Sequence, residues 1–206
     1  MKPFTKLTAV AAPLDMANID TDKIIPARYL RKPREPGYDP YLFYDLRFDG
    51  EGRERPDFVL NQPAYRKAGI LVAAANFGCG SSREGAVYAM LDYGIRSVIA
   101  PSFGDIHYAN QLQNGMLPVM LPEETCAGLR RQLHAAPGAQ LTIDLESQTV
   151  TAPDATKHRF DIDSVYRDRL LKGLDEVGLV LEYLPQIEAF EQRHYAEMPW
   201  LVRDRK

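Results

Sequence analysis

The sequence predicts an α/β domain, a parallel sheet with an antiparallel component, folded as one unit. Three observations carry that reading. Between residues 70 and 135, short apolar runs alternate with helical patterns three times. Each helical pattern is closed by glycine, or by a proline–glycine pair. After residue 140 the spacing changes to short alternating runs around polar turns. Repeated strand–helix alternation implies parallel pairing with right-handed crossovers. Alternating runs flanking a turn imply a hairpin.

In chain order, residues 4–12 (FTKLTAVAA) read as a strand. Residues 15–30 mix turn formers with a short apolar group, and predict a structured loop leading into a short helix. Residues 31–58 are rich in proline, glycine and charge; a loop of this length in a compact domain is usually functional or mobile. Tyr41, Phe43, Tyr44 and Phe48 are expected to pin part of it. Residues 70–75 form a buried-type strand. Residues 82–93 have helical spacing, with Ala86, Val87, Met90 and Leu91 on one face and Gly94 as the stop. Residues 97–100 and 117–121 are further strands. Residues 103–114 and 123–135 are helices, stopped by Gly115 and by Pro137-Gly138. Residues 141–144 and 149–152 flank the turn at 145–148 as a hairpin. Another strand is expected at 159–162, and two closing helices at 164–172 and 184–195. Residues 1–206 thus read as one domain with a long loop and a C-terminal helical extension.

The 206 residues suffice for a sizeable core, and 45% hydrophobic with 26% charged residues is ordinary for a globular chain. A net charge of −3 argues against a nucleic-acid binder. The two cysteines, Cys79 and Cys126, have neither CxxC nor metal-ligand spacing, which opposes zinc and disulfide-scaffold readings. A reduced, cytoplasmic setting is expected. No signal-peptide h-region stands at the N-terminus, and no run approaches the ~20 apolar residues of a membrane span.

The chemistry concentrates in GCGSSRE, residues 78–84, where a parallel strand ends and a helix begins. Ligands of open α/β sheets bind at that end of the strands. Gly78 and Gly80 permit positive φ and close approach of backbone N–H groups. Amides at a helix start, backed by the helix dipole, favour an anion. Ser81 and Ser82 add hydroxyls, and Arg83 offers a planar fork for carboxylate or phosphate. A plainer reading stands beside this one: Ser81-x-x-Glu84 is also a capping box. That box leaves the paired glycines, the second serine and the arginine unexplained. Both readings hold together if Ser82 is the cap. A dinucleotide fingerprint fails, because Arg83 stands where the third glycine belongs. P-loop and nucleophile-elbow patterns are absent.

Asp20-Thr21-Asp22 brings two carboxylates together, which suits acid–base work or pairing with a cation. On the residues alone, a turn or helix cap explains it better. His107, alone on a predicted helix, reads better as a packed residue than as a catalyst. Cys79 lies at a helix start, where a thiol pKa can fall, but no base stands near it in sequence. Cys126 reads as core.

NIDTDKIIPARYL, NFGCGSSRE and VIAPSFGDIHYANQLQNGMLPV, in this order and spacing, resemble the small subunit of the 3-isopropylmalate dehydratases. That family is similar to the swivelling C-terminal domain of aconitase. The resemblance implies a swivelling β/β/α domain. It implies a hydro-lyase that moves a hydroxyl between neighbouring carbons of a 2-hydroxy diacid through a cis-alkene. A 4Fe–4S cluster, carried by a separate large subunit, would act as Lewis acid. The expected assembly is a heterodimer or heterotetramer, with no nucleic acid and no membrane. Ser81 matches the serine that takes a proton from carbon. Ser82 and Arg83 match the residues that hold the substrate carboxylate, and Asp22 matches an acidic residue facing the site. His107 matches a histidine of the SF-x-x-IH segment, to which no catalytic role is assigned.

Two departures from the family pattern stand out. Gly85 stands where the family usually has histidine. Glu35-Pro36-Gly37 stands where many members read arginine-threonine-glycine, which leaves Arg31 or Arg34 for a second carboxylate. A related dehydratase of the methylmalate or homoaconitate type is therefore an alternative. A non-catalytic carboxylate-binding module is another.

Overall fold

The computed structural model describes residues 1–35 and 37–201. Seven strands form one sheet in the order β4-β3-β2-β1-β5-β6-β7. They are β1 (Lys6–Leu14), β2 (Ile70–Ala73), β3 (Ser97–Ala100), β4 (Leu117–Met120), β5 (Gln140–Asp144), β6 (Thr149–Thr151) and β7 (Lys157–Arg159). The first four are parallel to one another, and β1, β5, β6 and β7 are antiparallel.

β1 belongs to both halves. Its residues 6–10 pair with β5, in the register Lys6 to Asp144, and residues 11–14 pair with β2, Ala11 opposite Ile70. The sequence explains the switch. Ala11, Ala12 and Leu14 are apolar and buried, as a parallel strand covered on both faces requires. Lys6 and Thr8 are exposed on alternate positions, as suits a strand with one wet face. β2 is buried at all four positions. Leu71 and Ala73 join one core with Ala86, Val87, Ala89 and Met90. Ile70 and Val72 join the other, with Leu129, Leu133, Leu141 and Ile143.

α3 (Glu84–Tyr93) joins β2 to β3, α4 (Asp105–Gln113) joins β3 to β4, and α5 (Glu123–Ala135) leads from β4 to β5. The short α1 (Thr21–Ile24) and α2 (Tyr44–Arg47) lie between β1 and β2. α6 (Ser164–Lys172), α7 (Glu176–Leu181) and α8 (Leu184–Glu197) follow the hairpin. Three differences from the sequence reading stand out. α3 starts at Glu84, two residues later than the helical spacing suggests. The last strand is Lys157–Arg159, because Phe160 turns into the core at 3% exposure. α7 is additional: Asp175 caps it through the Gly178 amide at 2.7 Å, in a segment whose Gly173 and Gly178 obscured a helix.

Residues 37–58 are pinned as their aromatics suggest. Phe43 is fully buried, and its N–H donates to the Ile24 carbonyl at 2.7 Å. Tyr41 stacks on Tyr29 with ring centres 4.3 Å apart. Arg47 is buried, donating to Asn61 Oδ1 at 3.2 Å, while Asn61 Nδ2 donates to the Arg47 carbonyl at 2.7 Å.

Leu71 sits at the centre of the parallel half with no exposure. Leu71→Ala is expected to cost about 2–5 kcal/mol through the cavity it leaves. A fall in denaturation midpoint with an unchanged m-value checks this.

Candidate active site

Beyond the carboxyl ends of β1, β2 and β3, the chain continues as three short segments joined by isolated β-bridges. The middle one, residues 75–81, carries the paired glycines. On one side it is laced to residues 18–21. Asn18 N–H donates to the Ala75 carbonyl at 2.9 Å, Gly78 N–H to the Ile19 carbonyl at 2.7 Å, and Thr21 N–H to the Cys79 carbonyl at 3.0 Å. Thr21 Oγ1 donates to the Ser81 carbonyl at 2.8 Å. On the other side, Phe77 N–H donates to the Ser102 carbonyl at 3.0 Å, and Gly104 N–H donates to the Phe77 carbonyl at 2.9 Å. The bend is therefore the middle rung of a small ladder that prolongs the sheet into the crevice where α/β folds take ligands.

Two glycines are dictated by close approach. Gly78 has φ +73°, and a Cβ there would stand 2.0 Å from His107 Cδ2. A Cβ on Gly104 would stand 2.5 Å from the Gly78 carbonyl oxygen. His107 fills the space behind the bend, 2% exposed, with its ring centre 5.7 Å from that of Phe77. Burial pushes its pKa down to about 4, so the ring is neutral at pH 7. His107 is thus a packed residue, which agrees with the plainer reading of it.

Ser81 and Ser82 are exposed on the outer side of the bend. Arg83 precedes α3 with extended backbone, and no side chain caps the helix. The capping box read from the sequence does not form, with Ser81 or with Ser82 as its cap. Glu84 is drawn sideways instead, accepting from Asn114 Nδ2 at 2.9 Å. The first amides of α3 are left free of a side-chain acceptor, which favours an incoming anion.

The Arg83 guanidinium pairs with the Asp22 carboxylate. Arg83 is mostly buried and Asp22 mostly exposed. The hydrogen bond from Arg83 holds the Asp22 carboxyl below its ordinary range, helped by the charge of Arg83 and the Ala27 amide. The three residues of the DTD turn divide the labour. Asp20 caps α1 by accepting from Lys23 N–H at 2.7 Å. Thr21 staples the turn to the bend, and Asp22 meets Arg83. The sequence reading as a turn and cap describes Asp20, and the reading as a charge partner describes Asp22.

Ser81, Ser82, Arg83 and Asp22 are brought into one cluster. Arg34 is not part of it: its guanidinium lies over the Tyr88 ring at 3.6 Å, along the flank of α3. Arg31 is exposed. Gly85 has a local cause, since a Cβ there would stand 2.6 Å from Leu30 Cδ2 and 3.4 Å from Tyr38 Cε2. Leu30 and Tyr38 pack directly on the start of α3, and the Leu30 side chain would have to shift for any side chain at position 85. Cys126 is buried and its thiol is pushed up to about 11 by desolvation. Sequence reasoning missed Asn18, Asn76, Ser102 and Gly104, and gave Thr21 no role of its own. Asn18 and Asn76 take positive φ, 53° and 61°, and Asn76 Nδ2 donates to Asn18 Oδ1 at 2.8 Å. Asparagine tolerates that conformation better than most residues, so these two were the available signal.

The mixed sheet with its glycine bend belongs to the class of aconitase C-terminal domains, for residues 1–124 match the Aconitase C-terminal domain model. Residues 127–164 match the LeuD_N model. Residues 176–204 match the model of the C-terminal domain of the 3-isopropylmalate dehydratase small subunit. The 3-isopropylmalate dehydratase small subunit of Rhodospirillum centenum is 52% identical over 98% of this chain and 100% of its own length. That of Hahella chejuensis is 48% identical over 98% of each. A crystal structure of 3-isopropylmalate dehydratase from Methanocaldococcus jannaschii covers 92% of this chain and 99% of its own, with TM-score 0.62 and 25% identity. The chain belongs to the 3-isopropylmalate dehydratase small-subunit family.

The glycines make an ordered prediction. Gly78→Ala, strained in φ and overlapping His107, should lose about 3 kcal/mol or more. Gly80→Ala meets its first neighbour only at 3.5 Å and should lose about 1 kcal/mol through its φ of +93°. Chemical denaturation of the two variants checks the order. His107 gives a second prediction. Its folded pKa lies below the ordinary 6.5, so the unfolded chain binds the extra proton between about 4 and 6.5. Stability should fall as pH drops through that window, by on the order of 3 kcal/mol in total. His107→Phe should remove that part of the slope in unfolding measured from pH 7 to pH 4.

Proposed function

We propose that the chain is the small subunit of a 3-isopropylmalate dehydratase, interconverting 2-isopropylmalate and 3-isopropylmalate through 2-isopropylmaleate in leucine biosynthesis. It acts only when joined to a large subunit, as a heterodimer or a heterotetramer, in a cytoplasmic setting. Among the described residues no helix is long and apolar enough to cross a membrane. The observation that carries the reading is the stapling of the Ser81–Arg83 bend to the Asp22 turn, in a chain half identical to such subunits along nearly its whole length.

In this reading Arg83 and Ser82, with the free amides at the start of α3, hold one carboxylate of the diacid. Arg83 is preset by Asp22, which fixes the fork before substrate arrives and limits the entropy lost on binding. Ser81, exposed at the rim, takes the proton from the carbon next to that carboxylate. The helix end and the arginine lower the cost of its alkoxide. The hydroxyl lost from the neighbouring carbon is the partner's concern. The chain's own donors do not fit a 4Fe–4S cluster. Its thiols are Cys79 and a buried Cys126, and the described residues hold no cluster of three metal-ligating side chains. The cluster implied by the family is assigned to the large subunit.

A related substrate, such as a methylmalate, is the second reading. It is favoured by Glu35 where the family resemblance expects the loop arginine, and by the stacking of Arg34 on Tyr88.

Ser81→Ala in the reconstituted two-subunit enzyme should lower turnover by about 10²–10⁴-fold, leaving folding and assembly intact. Absorbance of the alkene measures the rate, and a panel of 2-substituted malates reads the substrate. Wild-type activity on none of them would refute the proposal. So would full turnover in the Ser81 variant.

A further inference from the structure

A cavity of about 420 Å³ opens beside the C-terminal half of α3, away from the Ser81 bend. Its walls carry three cations, Lys2, Arg34 and Arg96, together with the amides of Gln113 and Asn114 and one acid, Asp175. Asp175 is already engaged, because its Oδ1 accepts from Gly178 N–H to cap α7. Arg34 rests on the Tyr88 ring. Arg96 is the decisive member. Its Nε is buried and without a hydrogen-bond partner among the described residues. Its other contacts are the Gly115 carbonyl at 3.5 Å, the outer limit of a hydrogen bond, and the Phe4 ring at 5.8 Å. Neither contact carries a negative charge.

A guanidinium withdrawn from water without an anion is costly, and such groups are normally paired. Arg96 is half-buried, with its Nε cut off from water, and that desolvation opposes its charge and lowers its pKa. The fork of Arg96 and its neighbours fits a compact oxyanion, and the volume lies within the range of small-molecule sites. We propose that this cavity is a second anion site, taking a small dianion of the phosphate or short-dicarboxylate class. It is separate from the bend at residues 78–83, and it uses none of Ser81, Ser82 or Arg83, so it stands whether or not the chain serves a dehydratase.

Calorimetric titration of the full chain with inorganic phosphate, and separately with succinate, tests it at constant ionic strength. Saturable binding of either probe is expected, and which one binds identifies the class. Arg83→Ala should leave that binding unchanged. Arg96→Gln should weaken it at least ~10-fold. Should Arg96→Gln fail to fold, the Lys2→Ala, Arg34→Ala double variant replaces two exposed side chains and should weaken binding about 3- to 10-fold. Loss of binding in Arg83→Ala, unchanged binding in the folded Arg96 or double variant, or binding of neither probe would overturn the proposal.

Discussion

The rest of the site depends on one set of contacts, the lacing of residues 18–22 to residues 75–83. Backbone hydrogen bonds at Gly78, Thr21 and Asn18 fix the path of the bend. The Thr21 hydroxyl fixes Ser81 through its carbonyl. The Asp22–Arg83 pair then fixes the guanidinium. An ion pair whose carboxylate stands in solvent contributes little to stability. Its value is geometric, since it holds a long, flexible side chain in one place. The arrangement exists only because Gly78 lets the backbone run against His107, with no side chain between them.

The fold brings these segments together through β1. By changing partner midway, β1 binds the antiparallel hairpin at its start and the parallel half at its end. Its carboxyl end then delivers the DTD turn beside the carboxyl end of β2, and β3 delivers Ser102 and Gly104 on the other side. Three consecutive neighbours in one sheet thus supply the three strips of the crevice. The same geometry leaves Ser81 and Ser82 outward, where a partner protein can close over them.

Much of this was legible in the residues. The strand–helix alternation from residue 70 to 135 carries strong periodicity, and the glycine stops at 94 and 115 agree with it. The GSSR junction stood out in the residues because paired glycines, two serines and an arginine exceed what capping needs. The helix start was misplaced because Ser81, Ser82 and Glu84 satisfy the capping box in sequence. In space, Asn114 at the end of α4 competes for Glu84. Such competition is tertiary and has no local signal. The double partnership of β1 was hidden for the same reason, since one apolar strand looks alike whichever neighbours it finds. The position of Arg34 could not be read either, because its stacking on Tyr88 goes with Leu30 and Tyr38 lying close against Gly85.

The central claim is that this chain presents a prearranged carboxylate fork beside an exposed serine. A crystal structure of the assembled two-subunit enzyme with a bound 2-substituted malate tests it most directly. The account predicts one substrate carboxylate on Arg83 and Ser82, with Ser81 Oγ within reach of the adjacent carbon and Asp22 still on the guanidinium. A substrate held wholly by the partner, with Arg83 and Ser81 out of contact, would contradict it.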